Sequence, residues 1–333
     1  VFVLIARSRP HLRRPWQKVI KRTTGVVSLV VLLTFYSIAI LDSLHFRPKL
    51  DNAGGVGHQY SNEILSVLDI AMTPMRTQVE KTFSAPLSTH LFSKEMVMRD
   101  DGSVEQVYPR LKYGGVHLDD PANDRFDDII NIIFKAVVLA LMLWLVAWGL
   151  LVLWHAKACD REYRASLKSV IRGETEYPIR AVALTTGIIT LIVVVSMSLG
   201  AQYHLFGTDK VGQDVFYQTV KSIRTGILIG SLTTLVMLPV AIILGAMAGF
   251  FRGWVDDLIQ YLYTTLNSIP SVLLIAASVL LVQVYISNNA DSFDSLTERA
   301  DLRLLFLCLI LGITSWTGLC RLLRAETFKL REM

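Results

Sequence analysis

The chain has 333 residues, 52% of them hydrophobic, with a mean hydropathy of +0.46 and a formal net charge of +5. The apolar residues gather into long uncharged runs, which excludes an ordinary water-soluble domain and a disordered polar chain. Three cysteines, with none between residues 42 and 128, exclude a disulfide-stapled fold.

Residues 1–22 carry Arg7, Arg9, Arg13, Arg14, Lys18, Lys21 and Arg22 without one acid, so this end is expected in the cytoplasm. The first span is 23–41. No small-residue cleavage site follows Leu41, so it reads as a retained helix and not a signal peptide. Residues 42–128 follow as an external insertion with more acids than bases. Within it, apolar spacing predicts a helix over Asn62–Met72 and a shorter one over Met75–Phe83. Glu95–Met98 and Val104–Tyr108 flank Arg99-Asp100-Asp101-Gly102-Ser103, a hairpin signal. The insertion is either a small α+β cap or an irregular loop packed on the membrane domain.

Residues 129–203 hold a pair of spans, Ala136–Trp154 and Ala181–Tyr203. Their connection, 155–180, carries Lys157, Arg161, Arg164, Lys168, Arg172 and Arg180 and is expected in the cytoplasm. Residues 204–224 read as a turn followed by an amphipathic helix on the membrane surface. Gly207 is suited to positive φ, and Thr208 or Asp209 to capping that helix. Residues 225–333 contain three more spans, Thr225–Phe251, Leu258–Asn288 and Leu304–Cys320, and end in a basic tail with Arg321, Arg324, Lys329 and Arg331. The fold class is therefore an all-α polytopic membrane protein of about six transmembrane helices, plus the small external insertion. The net charge is a topology signal, and no nucleic-acid partner is expected.

Chemistry is sparse. The seven histidines are scattered without a ligand-like pair. The pairs Asp100-Asp101, Asp119-Asp120, Asp127-Asp128 and Asp256-Asp257 read as solvated loop charge. A divalent cation at Asp119–Asp128 is a weak alternative. No catalytic, cofactor or metal site is expected, and the absence of a phosphate-binding Gly-rich loop assigns any ATP hydrolysis to another chain. The spans hold almost no ionisable residue, which argues against an ion-coupled carrier. Pro270 frees a helix hydrogen bond beside Asn267, marking a kink or a translocation path. Gly226-xxx-Gly230 and Gly245-xxx-Gly249 permit close helix approach, within the chain or to a second subunit. Trp144, Trp148, Trp154, Trp254 and Trp316 fit an interfacial belt.

Four pieces in order carry a resemblance. Gly207-Thr208-Asp209 with Gly212-Gln213-Asp214 is similar to the GTDxxGRD signature of dipeptide/oligopeptide-type ABC importer permeases. Gly249–Asp257 resembles their AGYxGGWxDE turn. Ser268-Ile269-Pro270-Ser271, and then Ser315–Gly318 with Arg321–Glu326, continue the likeness over 204–333. Gln213 departs from the usual Arg, and the spans at 136–154 and 181–203 depart from the family's usual plan.

The resemblance implies a permease subunit of a binding-protein-dependent importer in a bacterial plasma (inner) membrane. Its implied partners are a second permease subunit, ATP-binding subunits, an extracytoplasmic solute-binding protein and the lipid bilayer. Gly207, Thr208, Asp209, Gly212 and Asp214 would form an external turn near the binding-protein dock. Arg321, Arg324 and Glu326 would lead into the ATPase-coupling EAA loop, which in the family lies past the position of Met333, so the chain is expected to be a fragment. A different class of function is a non-transporting scaffold or sensor acting through 42–128.

The charge pattern makes one direct prediction. A cysteine at Ser166 should be labelled only from the cytoplasmic side and one at Ser84 only from outside. External labelling at 166 would overturn the orientation.

Overall fold

The computed structural model describes residues 18–50, 59–60, 64–98, 104–158, 177–289 and 296–332. They are mostly helical: α1 (Thr23–Ser43), α2 (Val67–Ala71), α3 (Thr73–Thr77), α4 (Arg125–Ala158), α5 (Ile179–Gly200), α6 (Val215–Phe251), α7 (Trp254–Ser268), α8 (Ser271–Asn288) and α9 (Leu296–Glu332). Six helices are long and apolar enough to cross a membrane: α1, the 125–153 part of α4, α5, α6, α8 and the 301–332 part of α9. The chain divides into two compact units, Val1–Arg224 and Thr225–Met333.

Four spans differ in their limits from the sequence expectation. The second, expected from Ala136, starts at Arg125. The surface helix and the fourth span are one helix, α6, because no breaker separates two stretches of equal 3.6-residue period. Its 37 residues exceed the roughly 20 needed to cross the hydrocarbon. The expected fifth span is cut in two. Pro270 lacks an N–H and pushes the preceding residue out of the α region; Ile269 sits at φ −87°, ψ 127°. Only α8, beyond the break, has the length and hydropathy to span. The sixth runs on from Cys320 to Glu332, since nothing between them stops a helix.

In the first unit the insertion is built from short antiparallel pieces. β1 (His45–Phe46) pairs with β4 (Leu65–Ser66), and β2 (Lys49–Leu50) with β3 (Gln59–Tyr60). β5 (Glu95–Met98) pairs with β6 (Val104–Val107) in the expected hairpin, whose turn lies outside the described residues. The expected helix over 62–72 is shorter. Ser66 caps it at Val67, its hydroxyl accepting from Asp69 N while the Asp69 side chain accepts from Ser66 N. The helix expected over 75–83 ends at Thr77, and the chain then runs extended along the turn at 204–214.

Two apolar clusters hold the insertion down. Leu118, Ile132, Leu199 and Tyr203 form one; Leu68, Met72 and Met75 form the other, packed on Ile38, Met197, Phe216 and Val220. The insertion is thus packed on the ends of the helices. Two of the tryptophans expected in an interfacial belt also tie helices together. Trp144 and Trp148 donate their indole N–H to Ala183 O and Thr186 Oγ1, each at 3.0 Å, joining α4 to α5. Ser84, the external labelling position, is buried against Thr208, so the exposed Ser93 is the better probe.

In the second unit Ala241, Ala248, Ile259, Tyr263, Trp316 and Cys320 form the core, so Trp316 is a core residue and not an anchor. A Cβ on Gly245 would lie 2.8 Å from Leu323 Cβ, and one on Gly249 would lie 2.5 Å from Thr327 Cβ. That glycine pair therefore seats α6 on α9 within the chain. Gly226 and Gly230 meet nothing within 4 Å.

The contrast is testable. Gly245→Val should destabilise the second unit by roughly 1–3 kcal/mol through overpacking. Gly226→Ala should be neutral or stabilise α6 by about 0.5–1 kcal/mol. Unfolding midpoints in detergent check both, and equal effects would contradict the assignment of helix contacts.

Candidate functional site

The turn at 204–214 is organised by its own carboxylates. Asp209 Oδ1 accepts from Val211 N and Gln213 N, both at 2.9 Å, and Oδ2 accepts from Gln218 Nε2 at 2.8 Å. Burial works against its charge, but these bonds outweigh it and lower the Asp209 pKa. Asp209 therefore folds the turn and does not cap the helix. The cap is Asp214, whose Oδ1 accepts from Tyr217 N at 2.9 Å, three residues on.

Gly207 and Gly212 both have left-handed backbones, at φ 76° and 78°. Each also lies against the insertion's backbone. A Cβ on Gly207 would sit 2.1 Å from Ser84 O, and one on Gly212 would sit 1.8 Å from Glu80 O. Glycine is required twice over, for φ and for contact. Thr208 Oγ1 donates to Thr82 O at 2.7 Å, Glu80 N donates to Gly212 O at 2.9 Å, and Leu87 N donates to His204 O at 2.9 Å. The five signature residues, Gly207, Thr208, Asp209, Gly212 and Asp214, are thereby brought together on the segment 80–87.

At the centre is a residue that sequence reasoning passed over. The His204 ring is 1% exposed, with Nδ1 2.8 Å from Asp214 Oδ2 and Nε2 3.4 Å from Glu80 Oε1. Glu80 also accepts N–H groups from Lys112, Tyr113 and Gly114, at 2.8, 2.8 and 3.2 Å. Burial alone would neutralise both groups. For His204 the two carboxylates overcome it and raise the pKa to about 9. For Glu80, His204 and the three N–H groups lower it to about 2. A buried imidazolium thus bridges two carboxylates, and the contacts join the insertion to the turn.

A second ionic group lies along the start of α6. Lys221 Nζ and Tyr217 OH each donate to Asp69 Oδ1, at 2.8 and 2.6 Å. Burial opposes the Asp69 charge, but Lys221, Tyr217 and Ser66 N together lower its pKa. Arg224 Nη1 lies 3.6 Å from Asp42 Oδ2, and Ser66 Oγ donates to Asp42 Oδ1 at 2.9 Å. Among the acidic pairs read as loop charge, Asp128 takes 2.6 and 2.8 Å hydrogen bonds from Tyr203 OH and His117 Nε2. Asp256 is likewise buried. Its two oxygens accept from Arg324 Nε and Nη2, at 2.5 and 2.7 Å, and this pairing lowers its pKa against burial. No cluster of three or more metal-ligating side chains occurs among the described residues.

Asn267 lies one residue before the end of α7 and accepts from Thr317 Oγ1 on α9 at 3.0 Å, with Pro270 at the break beyond it. Arg321 covers the Tyr263 ring at 5.8 Å, and Glu326 pairs with Lys329 at 2.9 Å. These residues are therefore spread along α7 and α9. His204 and Glu80 are 124 residues apart, and no spacing rule could have joined them. The Ser66-x-x-Asp69 capping box was readable and points to one buried carboxylate.

Residues 241–333 match the family model of the binding-protein-dependent transport system inner membrane component. This segment is similar to the inner-membrane components of binding-protein-dependent transport systems. Curated relatives agree with that placement. The oligopeptide transport system permease protein OppC of Mycobacterium tuberculosis is 30% identical over 129 residues, 39% of each chain. The dipeptide transport system permease protein DppC of Bacillus subtilis is 24% identical over 129 residues, 39% of this chain and 35% of that protein. The glutathione transport system permease protein GsiD of Pectobacterium atrosepticum is 30% identical over 79 residues, 24% of this chain and 26% of that protein. The chain spans about two fifths of the length of the first relatives it matches. The permease segment thus includes the glycine-packed α6–α9 pair and the Asp256–Arg324 bridge.

The buried histidine fixes a pH dependence. Its pKa is raised from 6.5 to about 9, so its contribution is whole below 6.5 and is lost as pH rises through 9. The Glu80 pKa falls from 4.5 to about 2, so its contribution is whole above 4.5 and is lost as pH falls through 2. Protease resistance of the first unit should therefore be greatest between 4.5 and 6.5 and decline toward pH 9. His204→Ala leaves two buried carboxylates facing each other, should cost about 3–5 kcal/mol, and should abolish the alkaline decline. A flat profile from pH 6 to 10 in the unmodified protein would contradict the charged bridge.

Proposed function

We propose that the chain is a permease subunit of an ATP-driven importer of di- or oligopeptides or similar small solutes. In this reading it works with a second permease, ATP-binding subunits and an extracytoplasmic solute-binding protein, in a bacterial plasma (inner) membrane with its N-terminus in the cytoplasm. The observation that carries the reading is the match of 241–333 to the transport family, with the signature-like turn at 207–214 upstream of it.

The geometry supports particular roles. The turn at Gly207–Asp214 is rigid, carried on the projecting start of α6, and suits a docking surface for the solute-binding protein. The break at Ile269–Pro270 leaves Asn267 tethered to Thr317, a polar contact at the join of α7 and α8. Arg321, Arg324 and Glu326 lie on the last turns of α9, where the resemblance places the lead-in to ATPase coupling. Arg324 is fastened to Asp256 on α7, so displacement of the end of α9 would be transmitted to α7. ATP is hydrolysed on the partner chains, and the permeases alternate access across the bilayer.

The test is reconstitution of the protein with its partner permease, ATP-binding subunits and solute-binding protein. Peptide-stimulated ATP hydrolysis and peptide uptake are expected. Arg324→Ala, which strands Asp256, should lower uptake several-fold while membrane insertion persists. Failure to co-purify with any ATP-binding subunit would overturn the reading, and would favour a scaffold or sensor acting through 42–128.

A further inference from the structure

An apolar groove of about 440 Å³ runs along the first unit between α4 and α5, two spans outside the matched segment. Its α5 wall is Arg180, Leu184, Ile188 and Leu191, spaced so that one helix face carries all four; its α4 wall includes Leu141 and Trp144. Gly187 makes room beneath it, since a Cβ there would lie 3.1 Å from the Trp144 ring. The groove is a fixed feature because indole hydrogen bonds to Ala183 O and Thr186 Oγ1 hold α4 against α5. Those bonds use both indole N–H groups. The one charged group on the groove is Arg180 at its end, exposed and with no ion-pair partner among the described residues.

We propose that this groove holds one phospholipid, its acyl chain along the α5 face and its anionic headgroup on Arg180. Two observations select that occupant. The groove runs from Arg180 to Leu191, about 16 Å at 1.5 Å per residue. That is close to half of the roughly 30 Å hydrocarbon core, the depth of a single leaflet. The charge sits at the end of this dry wall and not along it, as a lipid headgroup requires. An unpaired guanidinium between spanning helices is complementary to a lipid phosphate. Free phosphate would have no use for the apolar wall, and a zwitterionic lipid would gain less from Arg180. The basic composition of 155–180 places this end toward the inner leaflet.

The test uses the whole chain purified from vesicles of equal phosphatidylglycerol and phosphatidylcholine, with retained lipid counted by native mass spectrometry. One phosphatidylglycerol per chain should persist, preferred over phosphatidylcholine by about five-fold for one arginine contact. Arg180→Gln should remove the preference and Arg180→Lys should keep it. Leu184→Trp, which fills the groove from its exposed wall, should remove the retained lipid altogether. Equal retention of the two lipids by the unmodified chain means ordinary annular lipid and overturns the proposal. So does an unchanged preference in Arg180→Gln, or cross-linking of Leu184→Cys to another protein chain with no lipid retained.

Discussion

The first unit depends on a positive charge buried between two negative ones. His204 sits at the end of the α5 connection, Asp214 at the start of α6 and Glu80 on a strap of the insertion. Burial alone would drive His204 and Glu80 neutral. Both remain ionised, because imidazolium donates from both nitrogens and Glu80 draws on three backbone N–H groups as well. The rest of the turn follows from this arrangement. Gly207 and Gly212 lack side chains because the strap must come close enough for Glu80 to reach His204, and the same proximity lets Thr208 bond Thr82 O.

The same logic recurs at the other polar contacts. Asp69, Asp42 and Asp256 are withdrawn from water, Asp128 in part, and each is met by a cation, a hydroxyl or both. In a membrane protein the helices gain little from hydrophobic association within lipid, so packing and polar pairing decide which helices meet. Asp256 with Arg324 and Asn267 with Thr317 fasten α7 to α9, while the glycines at 245 and 249 let α6 lie on the same helix. These contacts fall inside the segment that matches the transport family. A mechanical connection from the end of α9 to the broken helix therefore fits the transport reading.

The insertion and the α4–α5 pair lie outside that matched segment, yet they differ in how they attach. The insertion is joined to the signature turn by main-chain hydrogen bonds and buried charge. The α4–α5 pair is joined through tryptophan side chains and leaves an open apolar groove.

The sequence by itself determined the membrane class, the number of spans, the hairpin at 95–107 and the turn at 207–214. Those follow from local facts: uncharged runs of sufficient length, period-two alternation around Asp-Gly, and glycines where the backbone must turn left-handed. It also marked Pro270, whose missing N–H breaks the helix wherever it stands. Helix ends were less legible, because α6 and α9 run on through amphipathic stretches that carry no breaker. The tertiary structure alone decided that Asp214 and not Asp209 is the cap, that Trp316 is core, that Asp256 is paired, and that His204 is charged. Each of those depends on a partner far away in sequence, 124 residues in the case of Glu80 and His204, and burial gives such a pair its strength only after the chain has folded.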